Sequence, residues 1–154
     1  MRAAVVVAAV LFGSASPVVA QTSGPLDWRR SDLAPHVPAA TGLSGETGAI
    51  RHATIVARAR EERPLAGSLT ETFRGMVFRT EIKCDERRWR ILSASYYSAD
   101  YALIREDGVV PWAALVRETP LHAAVTDVCD GGHAGPVTLT TDDVVAVQRW
   151  LDGG

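Results

Sequence analysis

The stretch FRGMVFRTEIKCDERRWRILSASYY, Phe73 to Tyr97, decides the fold. Two runs of alternating apolar and polar residues flank a short charged break at Asp85 and Glu86, the pattern of a β-hairpin. With Asp85 and Glu86 as a two-residue loop, Phe78, Ile82 and Cys84 share one face with Trp89 and Ile91. Arg79, Glu81, Lys83, Arg88 and Arg90 take the other. That register sets Glu81 directly across from Arg90, a favourable cross-strand pair. A slip of one residue would expose the whole apolar set, so the pattern constrains the pairing.

Working outward toward the N-terminus, Ile50 to Arg60 alternates on a period of two, with Ala53, Ile55, Ala57 and Ala59 on one side, which predicts a half-buried strand. Glu61 to Gly67 forms a polar connection. Residues 21–47 are rich in Pro, Gly, Ser, Thr and Ala, and Pro25, Pro35 and Pro38 break any period, so they read as an irregular lead-in with Trp28 tucked onto the domain. On the other side, Tyr101 to Ile104 and Val109 to Val116 predict two more strands, separated by the turn residues Arg105, Glu106, Asp107 and Gly108. The expected sheet is antiparallel with four to five strands.

The period changes after Pro120. Leu121, Ala124, Val125, Val128 and Cys129 line one face of a helix, with Thr119 as its cap and Pro120 in its first turn. A second helix is expected to begin at Thr141, with Asp142 and Asp143 in its first turn and Gly153 at its stop. The predicted architecture is α+β: residues 48–154 as a single domain, its sheet covered on one face by one or two C-terminal helices.

The N-terminus carries an address. Arg2, an apolar run from Ala3 to Phe12, then Gly13, Ser14, Ser16 and Pro17 follow the order of a signal peptide. Val18 and Ala20 are small residues at the positions a signal protease reads, so residues 1–20 are expected to be removed by a cut after Ala20. A transmembrane anchor is the competing reading, but a span needs about 20 apolar residues and this run has roughly half. Gln21, not cysteine, follows the cut, so no lipid anchor is expected. The product would be periplasmic or secreted, without a membrane anchor.

Removing 20 of 154 residues leaves 134, enough for one domain with its own core. The chain carries 16 basic and 18 acidic side chains; losing Arg2 leaves 15 against 18, net −3. That balance suggests neither a nucleic-acid groove nor a polybasic membrane patch. Cys84 and Cys129 are the only cysteines. In an oxidising compartment a pair is most simply a disulfide, here joining hairpin to helix; a reactive thiol and a metal site are the other readings. Zinc would need more cysteine or histidine than Cys129 and His133 supply.

Residues for chemistry are sparse. His36, His52, His122 and His133 are scattered, with no motif-spaced partners. His52 reads as a solvated side chain on a strand's polar face. His133, among Gly131, Gly132 and Gly135, is the best placed for a ligand, and an alternative function is a small periplasmic enzyme or small-ligand binder using that loop. The acidic pairs Glu61–Glu62, Asp85–Glu86, Glu106–Asp107 and Asp142–Asp143 sit at expected turns or helix starts. No phosphate loop, nucleophile elbow, zinc helix or dinucleotide fingerprint occurs, so no catalytic, cofactor or metal residue is assigned. Arg87, Arg88 and Arg90, with Trp89, Tyr96 and Tyr97, form the densest group of recognition-type residues; the competing and favoured reading has Trp89 in the core and the arginines paired with Asp85, Glu86 and Glu81, and Arg88 and Arg90 are the candidate partner-binding patch.

The run Ile82 to Tyr97 with Cys84 ahead of a basic-aromatic strand, then Trp112, then Thr119-Pro120 leading to Cys129, resembles the surface-adhesin protein E family over about Ile50 to Cys129. The resemblance implies an antiparallel sheet, a helix and a disulfide between Cys84 and Cys129. It also implies a non-catalytic role, since the family's adhesins bind host matrix proteins such as vitronectin and laminin. Gln21 replaces the anchoring cysteine of a lipoprotein and Lys83 is the sole lysine, so only the two cysteines are carried over, in a structural role. The expected function is that of an exported binding domain with a protein partner.

Overall fold

A computed structural model describes residues 24–31, 37–115, 120–131 and 137–153. The strands are β1 (Leu26–Ser31), β2 (Ala39–Thr47), β3 (Ile50–Pro64), β4 (Thr72–Lys83), β5 (Arg88–Tyr97), β6 (Leu103–Asp107), β7 (Ala113–Ala114) and β8 (Leu139–Thr141). Helix α1 spans Pro120–Asp130 and α2 spans Val144–Leu151. All strand pairings are antiparallel, in the order β6-β5-β4-β3-β2-β1-β8, with β7 also on β5.

The central hairpin has the expected register. Ile82 faces Trp89, Glu81 faces Arg90 and Thr80 faces Ile91; a bulge then moves the pairing by one, so that Arg79 faces Ser93. The ladder ends at Lys83 and Arg88, so the connection is a four-residue turn, Cys84 to Arg87, rather than two residues. Arg87 closes it in the left-handed region, at φ 50°.

The sheet has more strands than expected. The segment 21–47, read as an irregular lead-in, supplies β1 and β2, and Trp28 is 0% exposed with its indole N–H donating to the Thr141 carbonyl at 2.8 Å. Gly42 leaves room for this: a Cβ there would sit 3.3 Å from the Trp28 ring. Residues 105–107, read as a turn, belong to β6, and of the expected strand 109–116, described as far as Leu115, Ala113–Ala114 pairs as β7. The cap of α2 is Asp143, which accepts from the Val145 N–H at 2.8 Å; Thr141 lies in β8 instead.

The core divides by strand parity. Ile55 and Phe78 cluster with Ile91, Ala94 and Ala124, and Ala53 and Ile82 with Val125 and Val128 of α1. Val56 and Val77 cluster with Trp28, Ala40 and with Val147 and Leu151 of α2. Neighbours on a strand point to opposite faces. Residues of α1 thus cluster with one set of strand positions and residues of α2 with the alternate set. Cys84 and Cys129 form a disulfide, Cα to Cα 5.3 Å, between the hairpin turn and the end of α1.

Candidate binding surface

Alternation along β4 and β5 puts Glu81, Lys83, Arg88 and Arg90 on one face, and the pairing of β3 with β4 brings His52 opposite Glu81. Glu81 is 7% exposed, so its charge must be met locally. Arg90 does this, donating through Nε to Oε2 at 2.6 Å, while His52 Nδ1 lies 3.7 Å from Oε1. The other ring nitrogen of His52 is 3.1 Å from the Thr47 hydroxyl. His52, read as solvated, is thus half-buried between Thr47 and Glu81.

Trp112 completes the surface. The short pairing of Trp89 with Ala113 and Arg88 with Ala114 carries the preceding residue onto the charged face. There the Arg90 guanidinium lies 4.9 Å and the Lys83 ammonium 5.0 Å from the indole centre, both in cation–π range. Arg88 donates through Nη2 to the Trp112 carbonyl at 3.2 Å. Glu86, from the turn, reaches back with Oε1 2.9 Å from Lys83 Nζ and Oε2 4.0 Å from Arg88 Nη1. Beside the turn, Arg87 pairs with Asp130 at 2.9 Å, a second tie between hairpin and α1.

The candidate pair Arg88 and Arg90 therefore stands together, but with unequal freedom. Arg90 is committed to a buried carboxylate, whereas the Arg88 side chain is 46% exposed. The aromatic residues first grouped with them separate: Trp89 joins the core clusters with Phe78 and Ile82, and Tyr96 packs edge-on to Phe73 at 5.3 Å. Lys83 could be placed on this face from strand alternation. Trp112 could not, because a two-residue strand leaves no periodic signal and its position depends on pairing with the far end of β5.

His133 and its glycine loop lie outside the described residues, as do residues 1–20 and the proposed cut after Ala20. Among the described residues, no group of three or more His, Cys, Asp or Glu side chains could hold a metal ion, and no helix is long and apolar enough to cross a membrane. Comparison with family models, curated proteins and solved structures finds no match to this chain. Guanidinium donors around an indole offer hydrogen bonding, charge and stacking.

Proposed function

We propose that the protein is an exported, non-catalytic binding domain of the surface-adhesin protein E type, which engages another protein through Lys83, Arg88, Arg90 and Trp112. The observation that carries this is the half-exposed Trp112, set under Lys83 and Arg90 and bonded through its carbonyl to the exposed Arg88. Tryptophan and arginine are the side chains that most often anchor protein interfaces, and here the sheet pre-orders them, which lowers the entropy lost on binding. Export is supported by the signal-like residues 1–20, and the Cys84–Cys129 bridge is compatible with an oxidising compartment. The family assignment is supported by the sequence pattern around Cys84, Trp112 and Cys129.

The test is affinity capture from periplasmic extract and from host matrix, run in parallel with the wild type and an Arg88→Glu/Trp112→Ala variant. A partner retained by the wild type and lost by the variant supports the assignment. Recovery of nothing, or equal recovery by both proteins, overturns it. Fractionation of cells should place the protein outside the cytoplasm with its N-terminus at Gln21; an intact Met1 in the cytoplasm refutes export.

A further inference from the structure

We propose that the Lys83–Arg88–Trp112 corner receives an acidic, carboxylate-bearing segment of a protein partner, and that Glu86 of this chain occupies the carboxylate position until the partner displaces it. This rests on the binding surface proposed above and specifies its ligand. The carboxylate of Glu86 bridges two cations from different strands, Lys83 at 2.9 Å and Arg88 at 4.0 Å. It thereby marks where an incoming carboxylate finds complementary charge. Glu86 is itself 44% exposed, and an ion pair that open to water holds weakly, so a multivalent ligand can replace it.

The turn does not depend on the Glu86 side chain. It is closed by the Arg87 N–H to the Cys84 carbonyl at 3.3 Å, by the Leu115 N–H to the Arg87 carbonyl at 3.1 Å, and by the disulfide. Arg88 is anchored through Nη2 on the Trp112 carbonyl, leaving its Nε and Nη1 edge for a fork-like pair with a carboxylate. Arg90 is excluded from this role because Glu81 already holds it. A carboxylate ligand fits better than a sulfated polymer: the resident group is a carboxylate, and it bridges a pair of cations rather than a long row of them. Lys83 and Arg88 share the single Glu86 carboxylate, so displacing Glu86 leaves two positive charges to attract an acidic segment.

The test uses the disulfide-bonded protein and a fluorescent peptide of eight glutamates, read by anisotropy and by the NMR signal of the Trp112 indole. Expected is saturable binding that shifts the Trp112 signal and weakens as salt rises to about 0.3 M, where the screening length falls well below 10 Å. Glu86→Gln, which frees both cations, should tighten binding about two- to five-fold, and Arg88→Glu should abolish it. Circular dichroism and the absence of free thiols verify that both variants remain folded. The inference is overturned if the peptide does not saturate, if Glu86→Gln brings no gain, or if dextran sulfate binds in preference and is indifferent to Glu86→Gln. A partner captured through Arg88 and Trp112 while the peptide fails would sink the carboxylate inference and leave the binding surface standing.

Discussion

Arg58 sits mid-strand in β3 at 1% exposure, although the alternation of Ile50 to Arg60 places it on the polar side. All three of its guanidinium nitrogens are engaged: Nε to Asp152 at 2.9 Å, Nη1 to the Ser98 carbonyl at 2.9 Å and to Gln148 Oε1 at 3.2 Å, Nη2 to the Ala99 carbonyl at 2.6 Å, with Tyr101 stacked at 4.3 Å. Gly75 makes the space, since a Cβ there would meet Gln148 Oε1 at 1.9 Å. Strand periodicity reports the face of a residue and not what later covers it, so α2 and its acidic C-cap were needed to reveal this burial. Removing one partner of a buried charge network leaves the others unpaired, so Arg58→Met should cost about 3 kcal/mol or more in urea unfolding. Arg58→Lys should recover little, because an ammonium cannot reproduce the planar fork. A loss below about 1 kcal/mol for Arg58→Met would show that the network is not holding α2.

A second residue-scale prediction concerns Tyr97. Burial, followed by the nearby Glu106 carboxylate, pushes its phenol above the ordinary value of 10.0, against the pull of Arg79. The folded state therefore keeps the phenolic proton after the unfolded chain has lost it. That contribution is fully present below pH 10.0 and declines as the pH rises above it. Urea midpoints should fall as the pH is raised above 10.0, and Tyr97→Phe should shallow the decline. The Tyr101 phenol is raised too, chiefly by its hydrogen bond to Asp152, so Tyr101→Phe should shallow the decline as well. An unchanged slope in Tyr97→Phe would assign the alkaline loss elsewhere.

Among the elements, the β4–β5 hairpin was legible in register from the turn to Thr80–Ile91 because local signals agree: alternation on both strands, a charged turn and the complementary Glu81–Arg90 pair; the bulge that sets Arg79 against Ser93 was not. Helix α1 was equally legible from its apolar period and Pro120. Strands β1 and β2 were not. The run Ala39-Ala-Thr-Gly-Leu-Ser-Gly has little β propensity or hydrophobicity of its own, and it is a strand because β3 offers it a ladder from Ala39–Ala57 to Thr47–Ile50. Tertiary pairing likewise claims Arg105 to Asp107 for β6, where the composition reads as a turn. At this scale the disulfide is the device to test. It ties the β4–β5 turn to the end of α1 across 45 residues, and chain-entropy reasoning gives it about 4 kcal/mol. A Cys84→Ala/Cys129→Ala protein should unfold at markedly lower urea, with the loss seen first as hydrogen exchange in α1. Hydrogen exchange that rises equally in every strand would show instead that the bridge acts only on the unfolded chain.

For the whole molecule, the decisive feature is that the N-terminal strands complete a core that the chain after residue 47 cannot close. Trp28 and Ala40 belong to the cluster of Val56, Val77, Val147 and Leu151, and β1 is the link between β2 and β8. Without residues 24–47, β3 becomes a sheet edge of fifteen residues, and β8 loses its partner strand. A long uncovered edge strand is a template for pairing with another chain. The boundary suggested by composition alone, at residue 48, therefore cuts through a hydrophobic cluster, whereas a chain beginning near Gln21 preserves it. Two proteins, residues 21–154 and 48–154, separate these possibilities. The longer should unfold in one cooperative urea transition with Trp28 fluorescence buried at the start. The shorter should lack near-ultraviolet dichroism, bind a hydrophobic dye and self-associate at micromolar concentration. If residues 48–154 instead form a monomer of comparable stability, the β1–β2 contribution to the core is dispensable and the domain does begin where composition places it.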